Sequence, residues 1–392
     1  MTVTLKDITD REERYTASTY KRFPLLIKRG KGAKCYDEND KEYIDLTSGI
    51  GVNVFGFSDE KMIADVTEQL NLLTHTSNLF YTEPQIRAAE LITQKANMKK
   101  VFFCNSGAEA NEAAIKTARK YGHDNFGPEK HEIITLKNSF HGRTMATITA
   151  TGQEQYHKDF MPFLDGIKYV DAGDLQMLKE NIGENTVAIM LELIQGEGGM
   201  IPIDKSYVKE VEEICKERDI LLIIDEVQTG AGRCGAFLCS HIYGLNPDIV
   251  TMAKGIGGGL PVGACLFAER TANVLGYGDH GTTFGGSPPV SASVESVLKR
   301  LDHKLYEEVK NKGDYIKSFL KQHDETVADV SGLGLMVGFR AKNKSSSEVV
   351  KKGIEMGVLA LTAKDKVRLL PPLNISIEEI DKGLEILLKA CE

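Results

Sequence analysis

Two residues of this chain stand where an acid and an amine would share one crevice. Asp225 ends the apolar run Leu221-Leu222-Ile223-Ile224, and Lys254 ends the run from Ile249 to Ala253, just before Gly255-Ile256-Gly257-Gly258-Gly259. Short apolar runs rich in β-branched residues, cut off by polar or glycine residues, read as buried strands of a parallel sheet. Ligands of such sheets sit beyond the carboxyl ends of the strands. A lysine at such an end, followed by glycines that admit close backbone approach, suits covalent amine chemistry. A carboxylate there is the kind of group that holds a ring nitrogen protonated. Taken singly, a lysine after a strand is ordinarily a solvated side chain. An apolar run ending in Asp225-Glu226 also fits a magnesium-binding strand of an ATPase. That reading needs a G-x-x-x-x-G-K-[ST] loop, and the chain contains neither Gly-Lys-Ser nor Gly-Lys-Thr.

Other residues carry chemistry of the same kind. Ser106-Gly107-Ala108 follows the strand-like Val101-Phe102-Phe103-Cys104 and opens an alanine-rich helix, with Ser106 and Glu109 at capping-box spacing. Unpaired N–H groups and the helix dipole make such a start an anion site, although a plain helix cap explains Ser106 equally well. Phe140-His141-Gly142-Arg143-Thr144 follows another strand and sets an aromatic ring beside a guanidinium, able to stack on a ring and to pair with a carboxylate. Arg368 lies in the apolar segment Val367-Arg368-Leu369-Leu370-Pro371, where an unpaired charge is costly. It needs an anion, either a substrate carboxylate or an internal one such as Glu197. Thr282 and Thr283 offer hydroxyls in a turn-rich loop.

The elements that must position these groups form an α/β pattern. Strands are expected at 101–104, 133–136, 167–170, 187–191, 221–225, 249–252 and 262–268, with helices between several of them, which is the signature of a mostly parallel sheet. Before it, residues 21–50 read as a meander with strands at 24–27, 33–36 and 42–46, and 60–72 as a helix with Ile63, Val66 and Leu70 on one face. After about residue 289 the alternation stops. A long helix over 294–319, a strand at 334–339, a helix over 347–356, a hairpin of 357–361 with 366–370, and a last helix capped by Ser376 and Glu379 read as a smaller α+β domain. The expected division is a large domain over 61–289 and a small one built from 1–60 and 290–392. The 392 residues, 42% hydrophobic and 27% charged, suffice for a large core and argue against gross disorder. The net charge of −8 disfavours nucleic acid as a partner. Seven scattered cysteines without a C-x-x-C pair read as reduced thiols of a cytoplasmic protein. The acidic N-terminal residues, without an apolar run, resemble neither a secretory signal nor a transit peptide, and no stretch approaches membrane-spanning length.

The segments 106–120, 140–144, 191–199, 225–233, 254–263 and 281–288 together resemble the class III aminotransferases that depend on pyridoxal phosphate (PLP). They agree in order and spacing over nearly the whole chain. The resemblance implies a fold-type-I PLP transferase with two domains, acting as a homodimer. It implies that Lys254 anchors PLP covalently and shuttles a proton, and that Asp225 keeps the pyridine nitrogen protonated. Val227 and Phe140 would sandwich the ring, and Gln228 would bond its phenolic oxygen. Gly107 and Ala108 would hold the phosphate, with Thr283 arriving from the partner subunit. Arg143 and Thr282 would contact the substrate. Arg368 would take the α-carboxylate of glutamate, and Glu197 would cover it when the amino donor reacts through its far end. The segments 75–81 and 106–116 point to N-acetylornithine as donor and 2-oxoglutarate as acceptor, a step of arginine biosynthesis. Succinylornithine, ornithine, 4-aminobutyrate or an N-acyl diaminopimelate precursor are the alternatives, and a silent PLP-binding regulator lies outside the class. Leu193 stands where proline is usual, Cys234 where threonine is common, and Phe57-Ser58-Asp59-Glu60 replaces a histidine-rich turn. Ile50 stands where ornithine aminotransferases carry a substrate-binding tyrosine, which favours an acylated donor.

Overall fold

The computed structural model describes residues 3–392. Seven strands form its central sheet in the order Lys100–Cys104, Gly263–Phe267, Ile249–Ala253, Leu221–Asp225, Thr186–Leu191, Glu132–Leu136, Ile167–Val170. Gly263–Phe267 runs antiparallel to both neighbours and the remaining pairs are parallel. Every residue of the strands Thr186–Leu191, Leu221–Asp225, Ile249–Ala253 and Gly263–Phe267 is buried. Successive side chains supply two different cores, one on each face. Ile134, Ile189, Leu222 and Ile224 meet Val208, Val211 and Cys215 of the helix Lys205–Glu217. On the other face Ile133, Ala188, Met190 and Ile223 meet Ala113, Ala114 and Ala118 of the helix Gly107–Phe126. A sheet covered on both sides explains why its strands read as unbroken apolar runs.

The two chain ends share a further sheet. The strands Ile27–Lys31, Lys34–Asp37 and Glu42–Asp45 form an antiparallel meander, and Val358–Leu359 adds to it in parallel beside Glu42–Asp45. Another four-stranded sheet contains Val327–Leu333, Met336–Ala341, Lys366–Leu369 and Leu361–Ala363. The last helix, Ile377–Cys391, starts at a capping box of Ser376 and Glu379.

Three local expectations change, one helix was not expected, and one expected helix turns its apolar side outward. The first strand begins at Ile27 rather than at residue 24, because pairing starts where Ile27 meets Asp37. The long helix divides into Pro288–Leu298 and His303–Lys321, since Asp302 caps the second by accepting from Leu305 N at 2.8 Å. The expected hairpin splits: Val358–Leu359 leaves for the N-terminal sheet, and only Leu361–Ala363 folds back on Lys366–Leu369. An unforeseen helix, Leu5–Tyr15, has no buried side chain and is held at its start by a Thr4–Asp7 capping box. The helix Glu60–Leu72 forms as expected, but Ile63 and Leu70 stay 46% and 47% exposed and point away from the core.

Candidate active site

Four parallel strands of the central sheet deliver the site from their carboxyl ends. Asp225 closes Leu221–Asp225, Lys254 follows Ile249–Ala253, Glu192 follows Thr186–Leu191, and Ser106 follows Lys100–Cys104. Together with Phe140 and Arg143, from beyond Glu132–Leu136, they line one cavity of about 510 Å³. Gly107, Ala108, Val227 and Gln228 also line it. A Cβ at Gly107 would stand 2.7 Å from Val227 Cγ1, so the helix start can press against the wall only as glycine.

Asp225 is buried and fully organised. Its Oδ2 accepts from Asn111 Nδ2 at 2.8 Å and from His141 Nδ1–H at 2.8 Å, and its Oδ1 accepts from Val227 N at 3.0 Å. Asn111 also donates to His141 O, so the carboxylate, the imidazole and the amide brace one another. A carboxylate offers about four lone-pair sites; three are taken, and one remains for a donor in the cavity. Glu226 plays no part in this chemistry. It accepts from Cys239 N and Ser240 N and so anchors the short helix Cys239–Tyr243.

Lys254 sits at a left-handed backbone position, φ +47°, at the start of a one-turn 3₁₀ segment. A non-glycine residue at such φ is uncommon and clusters at functional sites. Its side chain lines the cavity. Burial pushes its pKa below the usual lysine range, opposed chiefly by the negative charge of Glu197 and reinforced by Arg368. Arg368 is buried and paired with Glu197. These two side chains act on Lys254 through their charge and lie outside the immediate wall of the cavity. Arg143 has no acidic partner among the described residues; its guanidinium lies 4.1 Å from the centre of the Tyr156 ring, and Tyr156 meets Phe140 edge to face.

Thr282 and Thr283 also lie outside the cavity. Thr282 accepts from Asn105 Nδ2 at 3.0 Å behind the cavity wall. Thr283 faces a separate hollow beside Ser77, Leu79 and Phe103. Asn111, His141 and Glu192 carry roles that sequence reasoning did not assign. Glu192 had a signal, since it ends an apolar run just as Asp225 does, and His141 stood inside a segment already singled out. Nothing in the sequence pointed to Asn111.

The model of the family "Aminotransferase class-III" matches residues 15–391. The chain belongs to the class-III aminotransferases. The acetylornithine aminotransferase of Haemophilus ducreyi is 46% identical over 387 residues, covering 98% of each chain. That of Methanothermobacter thermautotrophicus is 43% identical, covering 97% of each. Among solved structures, the ornithine aminotransferase of Toxoplasma gondii superposes with a TM-score of 0.95 at 29% identity, covering 99% of this chain and 95% of its own. The N-acetylornithine aminotransferase of Stenotrophomonas maltophilia gives 0.83 at 32% identity, covering 97% of each.

Aminotransferases of this class depend on PLP, and the residues of this one fit it. The N–H groups of Gly107 and Ala108 have no protein acceptor among the described residues, as a phosphate site at a helix start requires. Gln228 Oε1 is buried without a partner; with the amide turned over, the same position presents a donor to a phenolic oxygen. The one free lone pair of Asp225 suits a protonated ring nitrogen. No described helix is long and apolar enough to cross a membrane.

Proposed function

We propose that this aminotransferase moves the δ-amino group of N-acetylornithine to 2-oxoglutarate, giving N-acetylglutamate 5-semialdehyde and glutamate. The observation that carries the donor class is the Glu197–Arg368 pair. With Arg368 covered by an internal acid, the inner cavity offers no free cation to a carboxylate beside the reacting amine. Arg143 remains open for a carboxylate at the other end of the donor. Such a donor reacts through its terminal amine. When glutamate or 2-oxoglutarate enters, Glu197 withdraws and Arg368 takes the α-carboxylate. The names of the relatives and the apolar Ile50 support the acylated donor over free ornithine.

PLP, when bound, supplies an electron sink for the charge that develops at the substrate carbon. The chain supplies the rest. Lys254 Nζ would hold the aldehyde of the cofactor and is placed to move a proton at the substrate carbon; burial favours the neutral amine that proton transfer requires. Asp225, held by Asn111 and His141, would keep a proton on the ring nitrogen. Phe140 and Val227 would cover the ring and exclude water, and the Gly107 and Ala108 amides would hold the phosphate.

The active unit we propose is a homodimer in which Thr283 completes the partner's phosphate site. Around it Leu79, Phe80, Tyr81 and Phe284 are exposed, an apolar patch of the kind that covers a partner. Asn78 ties the two loops together by donating to Thr282 O and Gly285 O at 3.0 Å. A donor screen with N-acetylornithine, succinylornithine, ornithine and 4-aminobutyrate, followed by the loss of cofactor colour, tests the substrate. A higher kcat/KM for ornithine than for N-acetylornithine would overturn it. Mixing Lys254→Ala with Thr283→Ala subunits tests the dimer. The mixed dimer regains one intact site, so activity should return; no recovery would place Thr283 in its own chain's site or in none.

A further inference from the structure

Glu192 is the buried acid of the cavity that the reaction above leaves without a task. It is 6% exposed and stands directly after the central strand Thr186–Leu191. Its Oε2 accepts from Phe140 N at 2.9 Å, and its Oε1 faces Gly196 N at 3.5 Å, at the long end of hydrogen-bond reach. These two amides belong to segments with different duties. Phe140 is the aromatic wall, braced from outside by Tyr156 at 5.6 Å between ring centres. Gly196 immediately precedes Glu197, the partner of Arg368. The turn at Gly196 is also tightly seated: a Cβ there would stand 2.4 Å from Gln228 Oε1, and one at Gly198 would stand 2.7 Å from Asn138 O. The turn therefore has little room to find another anchor.

We propose that Glu192 is a positioning residue that ties the Phe140 wall to the Glu197 turn, so that the cover of the cofactor ring and the carboxylate switch share one support. This deepens the aminotransferase reading of the site and rests on it. A strut of this kind needs acceptor oxygens and not a negative charge. Burial, and after it the nearby Asp225, push the carboxyl well above its ordinary range, which favours the neutral form. A second anion beside Asp225 and Glu197 would also compete for Lys254 and for the ring proton. A neutral acid holds both segments without that cost.

Glutamine reproduces the shape and keeps one acceptor, which serves the short bond from Phe140 N, while its NH₂ replaces the acceptor at the long contact with Gly196 N; alanine removes both. The test measures PLP affinity of the apoenzyme by fluorescence titration. It also measures the ratio of single-turnover rate constants for glutamate and N-acetylornithine. Glu192→Gln should hold the PLP affinity within about threefold of the parent, a change of under ~1 kcal/mol, and should shift the ratio less than Glu192→Ala does. Glu192→Ala should weaken PLP binding by roughly tenfold, the scale of a lost buried hydrogen bond with its donor stranded, and should shift the ratio as well. Phe140→Ala should change mainly the affinity, and Glu197→Gln mainly the ratio. A glutamine variant that binds PLP as weakly as the alanine variant would show that the acceptor to Phe140 N does not support the wall, and it would overturn the proposal. So would an alanine variant that alters only one of the two quantities. Should the alanine variant fail to fold, the glutamine result still decides. A parent enzyme that transfers no amino group from either substrate would sink the aminotransferase reading instead.

Discussion

Asp225→Asn changes one atom and should disable the site. In the parent, Asn111 and His141 both donate to Oδ2, and Val227 N donates to Oδ1. An asparagine must place an NH₂ group at one of these positions. At Oδ2 it would oppose two buried donors. At Oδ1 it would oppose the Val227 amide and the proton of a ring nitrogen. The second arrangement strands fewer protein groups, so the substitution costs chiefly the charged bond to the ring. Hydrogen bonds to charged groups contribute about 1.5–3 kcal/mol, which corresponds to roughly 10–150-fold in PLP affinity. The rate of proton removal from substrate should fall further, because the ring loses the charge that keeps its nitrogen protonated. Fluorescence titration of the apoenzyme measures the first effect, and stopped-flow single turnovers with N-acetylornithine measure the second. A variant with parental affinity and parental single-turnover rate would refute the role given to Asp225 and the reasoning from its hydrogen bonds.

Lys254→Ala should abolish turnover, and borohydride should no longer fix PLP to the chain; covalent label recovered at another lysine, with turnover retained, would contradict the assignment. Arg368→Ala should impair the half-reaction with glutamate more than that with N-acetylornithine, because Glu197 already removes Arg368 from the donor's path; equal losses would argue against the switch. Glu192 also predicts a pH signature in the apoenzyme. Its folded pKa is raised above the ordinary 4.5, so the folded state keeps a proton that the unfolded chain has lost. Its contribution is therefore fully present below about 4.5 and declines as pH rises through the folded pKa. Glu192→Gln has no proton to lose, so its melting temperature relative to the parent should rise with pH above 4.5, and a constant difference would mean that the acid is ionised in the fold.

Legibility in the sequence followed the range of the interaction that fixes each feature. The strand Leu221–Asp225 was readable to the residue, because burial on both sheet faces selects an unbroken apolar run and the functional acid ends it. The final helix was readable from its capping box, a contact three residues long. Asn111 was not readable: it meets Asp225 across 114 positions, and its local pattern is that of any helix residue. His141, 84 positions away from Asp225, was noticed only for its neighbours. The helix Leu5–Tyr15 escaped because periodicity detects burial, and this helix buries nothing within its own chain. The helix Glu60–Leu72 shows the converse. Its apolar spacing identified a helix correctly but not the surface that covers it, and Ile63 and Leu70 face outward. An apolar stripe left open, an uncovered patch around Tyr81 and Phe284, and a threonine that faces away from its own chain's cavity have one explanation in common. The homodimer proposed above accounts for all three, because a second copy would cover these surfaces at no cost in new residues.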